Sequence, residues 1–138
     1  MWNLIRLGRI TGNPQMENRA METGRAFFGN LREHPSGHCL FMVAFDSLMA
    51  PSLEIVISGK TGSEDTDEMI GALRHRYLPG ATIIFRPAGE DSQDIVRLAP
   101  FTRDQLPLDG RATAYICTAH ACRRPVTAIP EMLQLLEE

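Results

Sequence analysis

Apolar residues recur every three or four positions through the first fifty residues, and then change to short β-branched runs separated by polar segments. In the opening stretch Leu4, Leu7 and Ile10 keep helical spacing, and Gly12–Asn13 reads as a stop. Asn13 then caps a second helix with Pro14 as its first residue, a position where the missing N–H costs nothing. Met16, Ala20, Phe27 and Leu31 form its apolar stripe. It is expected to end at His34–Pro35, because a residue before proline is pushed out of the helical region. Ser36 is expected to cap a third helix over 37–49. That helix is apolar all the way round from Cys39 to Phe45, and such a helix needs cover on several sides.

From Leu53 the period shortens. "LEIVISG" reads as a strand, and "SEDTDEMIGALRHRYLP" as a helix with an acidic start and a basic end, buried through Met69, Leu73 and Tyr77. "ATIIFRP" is a second strand, "DSQDIVRLAPF" a short helix, and "RATAYIC" a third strand. "TAIPEMLQLLEE" closes the chain as a helix capped by Thr127, packing through Ile129, Met132, Leu133 and Leu136. The alternation predicts an α/β fold: a helical segment over 1–50, then over 51–138 a small three-stranded parallel sheet of order 2-1-3 with crossover helices, the strand from Leu53 central.

Length and charge add little to that frame. The 138 residues suit one domain, or a small domain with an extra element. A net charge of −3 with scattered Arg and Lys gives no basic face for nucleic acid or an anionic membrane. No run approaches a membrane span, and the start is too interrupted by Arg6 and Arg9 for a signal peptide. Three cysteines without a secreted disulfide spacing point to a reducing cytoplasm with free thiols.

Three places invite chemistry. "ISGKTGS", between a strand and a helix, ends like a phosphate-binding loop, but its leading glycine is replaced by Glu54, and Glu64, Asp65 and Asp67 oppose a phosphate. A ligand at the strand ends would meet Ser58, Gly59, Lys60 and Arg86, where open α/β sheets bind. Cys117 and Cys122 flank His120. They are read as inert buried residues, as a redox pair favoured by Arg123 and Arg124, or with His38 and Cys39 as a metal cluster. Four residues intervene between them, unlike the two of a usual redox dithiol, and no metal or other cofactor is expected. Asp46 is the one charge inside the apolar third helix, and the acidic stretches 64–68 and 90–94 read as solvated helix starts.

"NLIRLGRITGNPQMENRA", "LEIVISG" and "ATAYICTAHACRRPVTAIPEMLQLL" together resemble the C-terminal end of the large thioredoxin-domain-containing proteins related to spermatogenesis-associated protein 20. The most specific matches are Leu7 with Thr11–Gly12, and Ala114–Tyr115 with Cys117, Ala121–Cys122 and Pro125–Val126–Thr127. The loop "SGKTGS" departs from the family, where a more acidic, proline-bearing loop is expected. The resemblance implies an N-terminal thioredoxin-like domain, with no counterpart in this chain, and an α/α toroid similar to six-hairpin glycosidases and N-acylglucosamine epimerases, of which the chain carries only the last helices. It implies that residues 1–50 are the end of that toroid. The chain is then expected to be a non-catalytic structural or interaction fragment, docking on the rest of a larger protein or on itself through the 37–49 helix. Two alternatives stand beside it: a thiol–disulfide or redox-sensing module built on Cys117 and Cys122, and a carbohydrate-active or epimerase-like activity confined to the full-length protein.

Overall fold

Residues 1–119 and 121–137 are described by the computed structural model. Their contacts divide the chain into two units, Met1–Ser52 and Leu53–Glu138.

The first unit holds three α-helices. Helix α1 (Trp2–Thr11) stops at Gly12, whose left-handed backbone, with φ of 65°, lets its N–H close onto the carbonyl of Gly8. Helix α2 (Pro14–Glu33) begins as its residues dictate: the Asn13 side chain accepts a hydrogen bond from the Gln15 N–H, with proline in the first turn. It ends before Pro35. A 3-10 turn, Pro35–His38, then takes the place of the expected Ser36 cap, and helix α3 (Cys39–Met49) starts later than the spacing predicts, with no side-chain cap. Proline fixes the local backbone at the head of this turn and shortens the helix that follows.

Ile5, Ala20 and Ala44 make the small core of this unit, flanked by Met1, Trp2, Leu4 and Leu48. The buried side of α1 runs through Ile5, Gly8 and Arg9, so Leu7, expected inward, is exposed. Arg9 is held by Nη2 donating to the Ser47 carbonyl at 2.5 Å, with Glu17 at 4.0 Å. Phe27, also expected inward, is half exposed and stacks obliquely on Phe41, centroids 6.0 Å apart. In α3 only Ala44 is buried.

The second unit is a four-stranded mixed sheet of order β2-β1-β3-β4: β1 (Leu53–Gly59), β2 (Ala81–Pro87), β3 (Thr113–Thr118) and β4 (Ala121–Cys122). The order of the first three strands is the expected one, and β1 lies between β2 and β3. The expected all-parallel sheet is not what forms. β2 runs parallel to β1, whereas β3 is antiparallel to it, with Ser58 opposite Thr113 and Leu53 opposite Thr118.

The connection, residues 88–112, holds no helix long enough to make the crossover. A parallel crossover must carry the chain back along a seven-residue strand, about 23 Å at about 3.3 Å per residue. Helix α5 (Gln93–Leu98) has six residues and spans only about 9 Å. The chain therefore re-enters the sheet at the end where β2 left it, on the other side of β1. Helix α4 (Glu64–Arg74), of eleven residues, does make a full crossover from β1 to β2. The fourth strand, read from sequence as loop, exists because the chain after β3 doubles back and pairs Cys122 with Cys117.

Alternation along the strands sorts the side chains. Ile55, Ile57, Ala114 and Ile116 face Met69 and Leu73 of α4 and Met132 of the closing helix α6 (Ile129–Leu135). Each large side chain buried there contributes about 1.5–3 kcal/mol of transfer free energy. Tyr77, expected in this stripe, is 89% exposed, because α4 ends at Arg74 ahead of Pro79 and Gly80. Helix α6 is entered from Ala128, not Thr127, with Pro130 in its first turn and no side-chain cap.

Candidate functional site

The opposite face of the sheet is polar and still buried. Strand β1 places Glu54, Val56 and Ser58 on it, β2 places Thr82, Ile84 and Arg86, and β3 places Thr113, Tyr115 and Cys117. A segment after α5 covers part of it. Its 3-10 turn, Pro100–Thr102, is followed by Gln105, which is buried.

Arg86 was expected at a ligand. It is 4% exposed, and its guanidinium is consumed by backbone: Nε donates to the Thr102 carbonyl at 2.8 Å, Nη1 to Pro87 at 3.3 Å and Nη2 to Arg103 at 3.2 Å. It ties the covering segment to the sheet by satisfying carbonyls at the end of the short turn. Tyr115 anchors the same segment, its hydroxyl donating to the Leu106 carbonyl at 2.5 Å. Burial pushes the Tyr115 phenol above its ordinary range, and the nearby positive charge of Arg86 works against that rise.

The other residues expected at the strand ends divide. Ser58 is fully buried, and its hydroxyl has no hydrogen-bond partner among the described residues. Gly59 is a packing residue: a Cβ there would come within 2.2 Å of Thr66 Oγ1, so β1 can approach the start of α4 only with glycine at this point. Lys60 alone of the four lines the open groove of about 500 Å³ over the carboxyl ends of β1 and β2, together with Thr61, Gly89, Asp91 and Gly110. Asp91 offsets the lysine charge, so the groove carries no net preference for an anion.

The acidic start of α4 is not simply solvated. Asp65 Oδ2 accepts from the Ala112 N–H at 2.7 Å and Oδ1 from the Thr66 N–H at 2.9 Å. Led by the Ala112 bond, these contacts and one from the Ser63 side chain hold its carboxyl below the usual carboxylate range.

The cysteines form the other cluster. Cys117 and Cys122 face each other across β3 and β4 and are joined as a disulfide, with Cα atoms 3.8 Å apart. The expectation of free thiols is met only at Cys39, which is exposed and close to the Ser36 carbonyl. The two bonded sulfurs differ. Cys117 is 3% exposed, whereas Cys122, expected to pack beneath the last helix, lies on the surface. Gln105 Nε2 approaches both, at 3.9 Å from each Sγ. Metal coordination needs thiolates, and the bonded sulfurs are not thiolates. Among the described residues no group of three or more His, Cys, Asp or Glu side chains is placed to hold a metal ion, and His120 lies outside those residues.

Sequence reasoning missed Gln105 and Glu54. Gln105 carried no local signal, because its role comes from a loop folding over the sheet. Glu54 did carry one: a carboxylate inside a β-branched run, two residues from Val56 and four from Ser58, sits on their face by strand alternation. It is 4% exposed, and it is the register partner of Cys117.

Among the described residues no helix is long and apolar enough to cross a membrane. No family model matches the chain, and no solved structure matches it. Three curated relatives do. Spermatogenesis-associated protein 20 of Homo sapiens is 28% identical over 134 residues, covering 97% of this chain and 17% of that protein. The Rattus norvegicus and Mus musculus proteins of the same name are 27% and 26% identical over 136 residues, covering 99% of this chain and again 17% of their own length. The chain thus spans 17% of the length of the curated relatives it matches. Along nearly all of its residues, the chain is homologous to spermatogenesis-associated protein 20.

Proposed function

We propose that this chain is a C-terminal module of a longer protein, and that its chemistry is thiol–disulfide exchange at Cys117 and Cys122. The observation that carries this reading is the asymmetry of the pair: one cysteine is an exposed residue, the side from which an incoming thiolate would attack, and the other is buried beside polar groups. A disulfide closing only a five-residue step constrains little chain, so a purely stabilising purpose explains it poorly. In the reducing cytoplasm that the cysteine content favours, bonded pairs are mostly transient and catalytic or redox-sensing.

The test is thiol reactivity after reduction. In a Cys39→Ser background, which removes the exposed free thiol, Cys117→Ser leaves Cys122 as an exposed thiol that reacts readily with an aromatic disulfide reagent. Cys122→Ser leaves the buried Cys117, which reacts at least tenfold more slowly. Equal and slow reaction of both, or a pair that a dithiol does not reduce, removes the reading.

A second reading rests on a separate observation. Leu40, Met42, Val43 and Met49 of α3 are 72, 43, 50 and 63% exposed, and Phe28 of α2 is 58% exposed. That much apolar surface is characteristic of an interface. The homology to proteins about six times longer supports the remainder of such a chain as its cover. By resemblance that remainder holds a thioredoxin-like domain and an α/α toroid, with residues 1–50 as the toroid's last helices and residues 51–138 as a separate α/β unit. Carbohydrate-active or epimerase-like chemistry belongs, in this reading, to the longer protein alone.

A further inference from the structure

We propose that Glu54 is the proton donor and acceptor for the buried sulfur of Cys117, which makes the pair directional: the external thiol attacks Cys122, and Cys117 is the leaving group. The proposal rests on the exchange reading above and adds a proton path and an order of events to it.

Three observations converge. Glu54 stands directly opposite Cys117 in the antiparallel register of β1 and β3. Side chains so paired share a face, with Cβ atoms about 5 Å apart, within reach of a glutamate carboxyl. Glu54 is 96% removed from solvent, taking its 4% exposure from the whole, and its Oε1 has no hydrogen-bond partner among the described residues. Among the described residues no ion pair to Glu54 forms, and Arg86, the cation of the same sheet face, gives its guanidinium to carbonyls. A buried carboxyl left in this way is costly. Gln105 repeats the pattern: its Nε2 lies at both sulfurs, yet its Oε1 is also buried without a partner. Two partnerless acceptors therefore belong to residues paired with or touching a sulfur pair that, when bonded, has no proton to give. Reduction creates an S–H donor at Cys117, and these acceptors are matched to it.

The step balances as follows. The thiolate of an external dithiol attacks Cys122 Sγ, and the bond to Cys117 breaks. The electron pair leaves on Cys117 Sγ, to which Glu54 delivers the proton. The second thiolate of the dithiol then attacks its own partner sulfur in the mixed disulfide and releases Cys122 as thiolate. The dithiol is oxidised by two electrons and the protein reduced by two. In the reverse direction the Glu54 carboxylate removes the Cys117 proton. Gln105 Nε2 is a positioning group that supports negative charge on either sulfur. The other ionisable groups on the elements that carry this site are Arg86 and Tyr115 on the sheet face, Arg103 and Asp104 on the covering segment, and Arg123 and Arg124 after β4.

The experiment compares reduction of the 138-residue chain by dithiothreitol with that of its Glu54→Gln and Glu54→Asp variants, from about pH 4 to about pH 9. Comparing variants at each pH cancels the ionisation of the reagent. The expected result is a fall of about tenfold or more in the E54Q rate constant, with a wild-type to E54Q ratio that changes across the range, and with E54D retaining that change. A ratio that is flat with pH, or equal rates, overturns the assignment of Glu54 while leaving the exchange reading intact. A wild-type disulfide that dithiothreitol does not reduce overturns both. Difference infrared spectroscopy of the wild type supplies a readout independent of how the variants fold: reduction is expected to change the carbonyl or carboxylate stretches of one side chain, and unchanged bands in both regions overturn the proposal.

Discussion

At the scale of single residues, backbone contacts outweigh charge. Asp65 belongs to an acidic run, and sequence gives no reason to separate it from Glu64 or Asp67. The structure separates it through the N–H of Ala112, which approaches from 47 positions away. Because its folded-state carboxyl titrates lower than in the unfolded chain, it contributes stability that is present above the ordinary carboxylate value, about 3.9, and is lost as pH falls through the lower folded value. Denaturant midpoints measured over the acid range should therefore decline below about pH 4 in the wild type. They should decline less steeply in that window in Asp65→Asn, which starts from a lower plateau at neutral pH. The same kind of information decided the site. Cys117, Cys122 and Lys60 were legible because their residue types announce chemistry. Arg86 misled for that reason: a guanidinium near strand ends invites a ligand, yet here it meets three carbonyls.

At the scale of elements, local pattern and non-local geometry part company. The asparagine cap and proline of α2, the glycine stop of α1, and the β-branched runs of β1 to β3 all follow from near-neighbour chemistry. The direction of β3 does not. It depends on whether six helical residues can return the chain across the sheet, which the hydrophobic period of β3 itself does not encode. Strand β4 has two residues, too few for any period to register. The bond that fastens it is predicted to contribute at the low end of what disulfides add to stability. Chain-entropy reasoning for a five-residue separation gives about 2 kcal/mol, and Cys117→Ala with Cys122→Ala should lower the unfolding free energy by no more than that in urea titration. A loss well beyond it would mark the disulfide as a true structural clasp.

At the scale of the whole molecule, the composition is ordinary but its distribution is not. The second unit buries nine apolar residues in one cluster, and the first has a cluster of three. The first unit's surplus is displayed along α2 and α3 instead. If that surface is meant to be covered, the isolated chain should self-associate or bind a hydrophobic dye. Leu40→Glu with Val43→Glu should reduce dye binding and shift sedimentation toward a single smaller species. A wild-type chain that sediments as a monomer and leaves the dye dark would argue that these helices tolerate water. The over-apolar run of α3 was visible in sequence; which of its sides would find cover was not, since that depends on neighbours distant in the chain.

The hairpin that ends β3 carries a last consequence. Its two sulfurs lie outside the apolar cluster that α4 and α6 close, and only two residues of strand hang on their bond. If the pair exchanges as proposed, cleaving the bond would release β4 while Ile55, Ile57 and Ile116 stay sealed, so a change of oxidation state would alter the surface without melting the domain. Whatever reads that tip would see a different outline on an unchanged body.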